Sequence, residues 1–171
     1  MRSREPHDPL ILVGGVAELY QGDLDLGRRA IEILAAEDLG AEVLVEELSY
    51  GAVAVAQRLE DVRPTALVLV GAAERGRLPG TVERRPLGAD PLPSAEAQLA
   101  VGDAVTGYVS IDLVAQVAQA LGALPEDAVA IEVEPATKEP SEQLTPEAEA
   151  GLTQALALVR AEIRARRAPA A

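Results

Sequence analysis

The sequence predicts an α/β protein: a three-layer sandwich in which a twisted, mostly parallel five-stranded sheet carries helices on both faces. Short apolar runs alternate with amphipathic segments along the 171 residues. The most apolar run, residues 65–70, has the composition of a central parallel strand that is covered on both faces. Glycine and proline separate the segments, which gives the predicted order β-α-β-α-β-β-α-β-α.

The first predicted unit is a strand, a loop and a helix within residues 10–34. Residues 10–13 form an apolar run typical of a buried strand, and an amphipathic helix opens at Gly27. The loop between them carries three acidic residues: Glu18, Asp23 and Asp25. Open α/β sheets bind ligands at the carboxyl ends of their strands, so this loop is the first candidate for a functional site.

The remaining elements are predicted from the same patterns. Further strands are expected at residues 41–48, 65–70, 81–87 and 128–133, and further helices at residues 52–62, 110–121 and 145–166. Thr145 followed by Pro146 is a typical helix start, as is Ser110 before the preceding helix. The run at 81–87 is predicted to be an edge strand whose Arg84 and Arg85 face water.

The organisation of the chain is predicted to be simple. We expect residues 1–8 to be a flexible lead-in, residues 9–167 to form a single α/β domain and residues 168–171 to be a disordered tail. Residues 88–107 are predicted to form a long loop, which in a compact domain is usually functional or mobile.

Composition excludes several classes of function. Acidic residues outnumber basic ones, 28 to 15, and the net charge of −13 disfavours binding to nucleic acid. No cysteine is present, which excludes disulfides, thiolate nucleophiles and zinc–thiolate sites. No apolar run approaches the length of a membrane span, and there is no polybasic patch for a membrane surface. We expect a cytoplasmic location.

Several stretches together carry a resemblance to a known family. Residues 15–18 read Gly-Val-Ala-Glu, and residues 23–27 read Asp-Leu-Asp-Leu-Gly. Gly76 and residues 79–82, Pro-Gly-Thr-Val, follow the central strand, and Glu-Pro at 134–135 follows the last one. In spacing this resembles the nickel–iron hydrogenase maturation endopeptidases, which read G-x-G-N, four residues and D-D-G-x-G, then P-G-T-V and V-E-P.

The resemblance implies both a function and a defect. Members of that family remove a carboxyl-terminal extension from the hydrogenase large-subunit precursor, and they recognise nickel held in the precursor. Their three nickel ligands fall here on Leu24, Gly71 and Gly107, or on Tyr108 if the register slips by one. None of these side chains coordinates a metal. The expected protein is therefore a catalytically degenerate maturation-protease-like factor that has no cofactor and binds the large-subunit precursor or an accessory protein.

Two alternatives stay open on the sequence. The chain could be an active endopeptidase that removes the extension with a rebuilt acidic site, the substrate carrying the nickel. It could also be a module that shares only the architecture, because fold alone does not assign function. The candidate cleft residues are Glu18, Asp23, Asp25, Gly71, Glu74 and Tyr108. The single histidine, His7, lies in the lead-in and is not expected to be a ligand.

Each acidic candidate also has an ordinary structural interpretation. Asp23 would cap the first helix or complete its first turn, and Asp25 would be a solvated acid at the helix start instead of a substitute ligand. Glu18 would be an exposed loop acid. Glu74 and Arg75 would contact a partner peptide or form a loop ion pair. Near the third helix, Tyr108 would fill the space of the missing histidine or be an ordinary packed tyrosine. Asp112 would stabilise the dipole of that helix.

Overall fold

The computed structural model describes residues 8–88, 102 and 109–167. The strands are β1 (Ile11–Gly15), β2 (Val43–Glu47), β3 (Ala66–Ala72), β4 (Val82–Pro86) and β5 (Asp127–Val133). The described helices are α1 (Leu26–Ala35), α2 (Ala52–Val62), α3 (Ile111–Ala120) and α4 (Pro146–Arg167), and a 3-10 turn at Gly22–Asp25 precedes α1. The predictions for residues 1–7, for most of 88–107 and for 168–171 lie outside the described residues.

The five strands form one sheet in the order β2-β1-β3-β5-β4. β1 pairs in parallel with β2 and β3, β3 pairs in parallel with β5, and β4 runs antiparallel at the edge. The predicted fold class is therefore confirmed, including the central position of the most apolar strand and the edge position of β4. β2 follows β1 along the chain and lies on one side of it, whereas β3 and the later strands lie on the other side. The strand order therefore reverses between β1 and β3.

Both faces of the sheet are covered because successive strand residues point to opposite sides. In β3, Leu67 and Leu69 pack under α2 and α3, whereas Val68 and Val70 pack under α1 and α4. Burial on both faces explains why this run is continuously apolar rather than alternating. With no phenylalanine or tryptophan in the chain, the core is filled by aliphatic side chains.

Two predicted helix starts are confirmed by their capping bonds. The Ser110 hydroxyl accepts a hydrogen bond from the Leu113 backbone N–H at 3.1 Å at the start of α3. The Thr145 hydroxyl accepts one from the Ala148 N–H at 3.2 Å at the start of α4. None of the helices in the described part of the chain combines the length and apolarity needed to cross a bilayer.

The two arginines of the edge strand lie on opposite faces of the sheet, and one prediction about them is wrong. Arg84 forms an ion pair with Glu162 of α4. Arg85 does not simply face water: its Nε donates to the buried Glu132 carboxylate at 3.0 Å. Local patterning around Arg85 does not identify this partner, because Glu132 belongs to a strand that runs antiparallel beside β4 and lies 47 residues away.

Candidate functional site

A cleft of about 150 Å³ lies where the strand order reverses. Its walls are formed by residues 16–18 after β1, residues 72–75 at the end of β3 and residues 109–112 at the start of α3, with Leu24 beside them. The chain leads from β1 to β2 on one side of this point and from β3 to β4 and β5 on the other. Open α/β sheets bind ligands at such a point, so this cleft is the candidate site.

Glu18 is half-buried in the wall of the cleft. Its backbone N–H donates to the Leu24 carbonyl at 2.9 Å, which closes the β1–α1 loop on itself and brings Leu24 into the same wall. Ser49 fixes the neighbouring backbone, since its hydroxyl accepts from the Ala17 N–H at 3.0 Å. Within the described residues the Glu18 carboxylate takes part in no hydrogen bond or ion pair, and it is therefore available to a ligand.

Asp23 is completely buried and does not line the cleft. Its carboxylate accepts hydrogen bonds from the Ala136 N–H, the Thr145 N–H and the Thr145 hydroxyl, each at 2.8 Å. Asp23 does not cap the first helix, because these donors belong to the β5–α4 connection and the start of α4. It does lie in the 3-10 turn that leads into α1, as the first-turn interpretation expected. Asp23 joins the loop of the cleft to the last helix of the chain.

Asp25 lies at the start of α1, as one of its two predicted roles required, but it is buried instead of solvated. It is 2% exposed and accepts hydrogen bonds from the Arg28 Nε at 2.9 Å, so it is neither solvated nor directed into the cleft. The Asp25 carboxylate raises the pKa of Arg28, chiefly through this hydrogen bonding. The fixed guanidinium in turn lies 5.2 Å from the centre of the Tyr20 ring, within the range of a cation–π contact.

Gly71 is buried in β3 beneath the cleft, at a position that has no room for a side chain. A Cβ atom built on Gly71 would lie 2.4 Å from the Val16 carbonyl oxygen and 3.3 Å from the Ile111 Cδ1. The nearer atom belongs to the backbone and is held in place, because the Val16 N–H donates to Val70 at 3.0 Å. A carboxylate at position 71 would require the end of β1 to move.

Glu74 and Arg75 do not pair with each other, so that interpretation of the two residues is wrong. Glu74 lines the cleft and pairs with Lys138 at 3.4 Å. Arg75 also lines the cleft, and its guanidinium donates to Asp112 at 2.8 and 2.9 Å and to Glu132 at 2.6 Å. Arg75 is thus held against α3 and β5 instead of extending into solvent.

The contacts of Arg75 belong to a network of two arginines and two acids. Arg85 donates to Asp112 at 2.7 Å and to Glu132 at 3.0 Å, so each acid contacts both arginines. Arg75 holds the pKa of Asp112 below its ordinary value, chiefly by hydrogen bonding to its carboxylate. The network connects β4, β5, α3 and the loop after β3 around one side of the cleft. Asp112 therefore has partners well beyond the dipole of its own helix.

Glu132 and Glu134 contact residues of the cleft, although neither was among the candidates predicted from the sequence. Glu132 is 1% exposed inside the apolar strand β5, and an acid within such a run is the signal that could have revealed a buried ion pair. Glu134 follows β5, and its carboxylate accepts from the backbone N–H groups of Arg75 and Gly76 at 2.8 to 3.1 Å. It shapes the loop that carries the cleft residues after β3.

The described residues do not gather a metal site. Across 8–88, 102 and 109–167, no group of three His, Cys, Asp or Glu side chains is placed to hold a metal ion. Gly107, Tyr108 and His7 lie outside the described residues, so the structure does not bear on their predicted roles. Of the six candidate residues, Glu18 and Glu74 line the cleft, Gly71 lies beneath it, and Asp23 and Asp25 support the loop from within.

The fold and the cleft define an α/β protein with a candidate site at a topological switch point. Its structure is similar to a hydrogenase 2 maturation peptidase from a Thaumarchaeota archaeon, with TM-score 0.65, 26% identity, and 90% of this chain and 97% of that chain covered. It is also similar to the hydrogenase maturating endopeptidase HybD from E. coli, with TM-score 0.66, 25% identity, and 92% and 94% covered. No protein-family model matches the sequence, and the comparison with curated proteins finds no match.

The resemblance inferred from the sequence motifs is therefore confirmed by structure. The chain has the fold of the hydrogenase maturation endopeptidases over nearly its whole length, and the similarity extends to a third structure, an endopeptidase from Escherichia coli, at TM-score 0.68 and 25% identity. This structural similarity supports a protease-like protein. Which chemistry the cleft can perform depends on the residues that line it.

Proposed function

We propose that this protein is a hydrogenase maturation factor that binds a large-subunit precursor, or an accessory protein of its maturation, without cleaving it. The observation that carries the proposal is the wall of the cleft. Leu24, an aliphatic residue, lines the cleft at the position where the resembled family has one nickel ligand. The family's second nickel ligand falls on Gly71, where the Val16 carbonyl leaves no room for a side chain.

The remaining charges of the cleft support the same proposal. Asp23 and Asp25, the acids nearest to the missing ligand in sequence, are both buried and fully engaged with partners inside the protein. Arg75 in the wall is paired with Asp112 and Glu132, so neither of these two acids is free to hold a metal ion. Binding of a peptide segment does not depend on a metal and is compatible with these residues.

The second candidate function is an active endopeptidase with a rebuilt acidic site, in which the precursor carries the nickel. One observation favours it: Glu18 lines the cleft with a carboxylate that pairs with no other described residue. Of the three acids first considered for this role, it alone borders the cleft. One experiment separates the non-cleaving factor from the active endopeptidase.

The experiment is to incubate the purified protein with the nickel-loaded large-subunit precursor from the same source. Complex formation is measured by size exclusion, and cleavage by intact mass. We expect a complex and no mass loss. A loss of mass at the carboxyl end of the precursor contradicts the proposal and favours the active enzyme, and the Glu18→Gln variant then tests whether that carboxylate is required.

Two variants locate the binding site. Ala73→Arg fills the cleft from its wall and is expected to prevent the complex, because Ala73 lines the cleft and is half-buried. Leu121→Ser alters an exposed residue at the far end of α3 and is expected to leave the complex unchanged. If neither wild type nor Leu121→Ser binds the precursor, the proposed function fails and the similarity is reduced to fold.

A further inference from the structure

Exposed large apolar side chains of the described residues lie mostly in loops at the edge of the sheet that holds the cleft. Six large apolar residues are exposed in the described part of the chain, and four of them lie in the loops that follow β1, β2 and β3. We call these four the rim: Leu19, Tyr20, Tyr50 and Leu78. Parallel strands end at the same edge of a sheet, so the rim residues lie in loops at the edge that holds the cleft. Leu78 is the most exposed of the four, at 81%.

Tyr20 is held in place by its neighbours although its ring is 58% exposed. Its backbone has φ of +61°, a left-handed conformation that non-glycine residues adopt uncommonly. The Tyr20 carbonyl accepts from the Ser141 N–H at 3.2 Å, and the Gly22 N–H donates to Ser141 at 2.9 Å, which locks this conformation to the β5–α4 connection. Local strain that the surrounding structure maintains is characteristic of binding sites.

The ring of Tyr20 is positioned from inside the protein as well. Arg28 lies 5.2 Å from the ring centre, and the buried Asp25 carboxylate fixes the Arg28 guanidinium by bidentate hydrogen bonding. Three residues thus run from the interior to the surface: Asp25, Arg28 and Tyr20. A tyrosine whose ring is already ordered loses little conformational freedom on binding, which is the property of an interface anchor.

The charges around the rim specify the partner. Glu18, Glu47, Glu139 and Glu142 lie in or next to the loops of this edge, and none of them forms an ion pair within the described residues. Arg77 is the basic side chain of the same loops that is left without such a pair among the described residues. The edge therefore attracts positive charge. A second copy of this chain would present the same acidic edge and carries a net charge of −13, so it would be repelled.

We propose that the rim is a docking surface for a basic, apolar peptide segment of the partner protein, with Tyr20 as its anchor. The inference rests on the proposed function, because it names the chemistry of the segment that the cleft receives. Apolar side chains of the segment cover Tyr20 and Leu78, while its lysine or arginine residues meet the unpaired glutamates. This arrangement places the bound segment across the mouth of the cleft.

The test measures binding of the full chain to the large-subunit precursor by calorimetry at low and at high ionic strength. Tyr20→Asn removes the ring and tolerates the left-handed backbone, and Leu78→Ser removes the most exposed apolar side chain. We expect each to weaken binding by about tenfold, the effect of losing an interface anchor. Tyr20→Phe keeps the ring and is expected to bind as wild type, and so is Leu121→Ser, which lies outside the rim. High ionic strength is expected to weaken binding of wild type.

If Tyr20→Asn and Leu78→Ser both bind the precursor as wild type does, the inference is overturned and the proposed function stands. If wild type does not bind the precursor, the proposed function fails, and a second probe still tests the rim. This probe is a labelled peptide of alternating arginine and leucine, with a glutamate–leucine peptide as control. Preference for the arginine peptide that depends on Tyr20 and not on Leu121 supports the inference, and equal binding of the two peptides overturns it.

Discussion

Asp23 and Thr145 are joined by two hydrogen bonds although 122 residues separate them in the sequence. The Thr145 N–H and its hydroxyl donate to different oxygens of the Asp23 carboxylate, each at 2.8 Å. The same hydroxyl accepts from the Ala148 N–H at the start of α4. One buried acid therefore fixes the loop beside the cleft, the start of the last helix and, through Ala136, the connection after β5.

Replacing Asp23 is predicted to destabilise the fold. Asp23→Asn keeps the size of the side chain, but its amide nitrogen is a hydrogen-bond donor. It would face the N–H and hydroxyl donors of Ala136 and Thr145, which need an acceptor. Since each lost hydrogen bond to a charged acceptor leaves an unsatisfied group, we expect the free energy of unfolding to fall by about 2–3 kcal/mol. Urea denaturation measures this. The control is Asp61→Asn, an exposed acid on α2, which is expected to change stability by less than about 0.5 kcal/mol. Equal effects of the two variants would show that Asp23 is not a structural link.

Glu132 is predicted to stabilise the wall of the cleft through its two arginines. Glu132→Gln removes a buried negative charge from between Arg75 and Arg85, whose side chains are partly exposed and can regain water. We therefore expect a loss of about 2 kcal/mol, below the usual effect of breaking a fully buried pair. A double-mutant cycle with Arg85→Gln measures the coupling by denaturation. Additive effects of the two substitutions would contradict a direct interaction.

Asp112 is predicted to make part of the stability depend on acid. Because Arg75 lowers the pKa of Asp112 in the folded state, its contribution is complete above the unfolded-state pKa and is lost as the pH falls through the lower folded value. Asp112→Asn should therefore be less stable than wild type at neutral pH, with the difference shrinking on acidification below about pH 4. The carboxylate is 44% exposed, so solvent limits the difference to less than about 1 kcal/mol.

Denaturation midpoints measured across this pH range check the prediction. The control is again Asp61→Asn, which removes an exposed carboxylate on α2 and should differ little from wild type at any pH. A difference between wild type and Asp112→Asn that grows on acidification would reverse the sign and exclude the ion pair as its cause.

Gly71 is predicted to tolerate no side chain. Its Cβ would lie 2.4 Å from the Val16 carbonyl oxygen, so Gly71→Ala forces the end of β1 away from β3. Overpacking against a fixed group costs about 1–3 kcal/mol, and we expect a loss of that size in thermal or urea unfolding. Gly102→Ala is the control, since Gly102 is exposed and a Cβ there meets no other residue that the structure describes. If Gly71→Ala is as stable as wild type, the steric argument against a ligand at this position fails.

The apolar pattern of the sequence was sufficient to predict the sheet and its helices. Leu67 to Val70 are apolar on both faces because helices cover both, and this places β3 at the centre. The starts of α3 and α4 were predictable because capping by Ser110 and Thr145 depends on neighbours three residues away. The spacing of glycines, prolines and acids further indicated the family that the structure resembles.

The partners of the charged residues were not predictable from local sequence. Asp23 and Asp25 have the same chemistry and lie in one loop, yet one binds the β5–α4 connection and the other binds Arg28 of the next helix. Arg85 was expected in water and instead contacts Glu132. These pairings depend on which strands and helices become neighbours, and no periodicity in the sequence records that.

The sequence by itself determined the element order, the layers of the fold, and the absence of metal-binding side chains at Leu24 and Gly71, because local patterning and residue chemistry are properties of single segments. The tertiary structure alone decided which acids are available to a ligand. Asp23 and Asp25 are buried and paired inside the protein, whereas Glu18 lies in the wall of the cleft. The tertiary structure also decided that Gly71 cannot carry a side chain, since that limit is set by the backbone of a different strand.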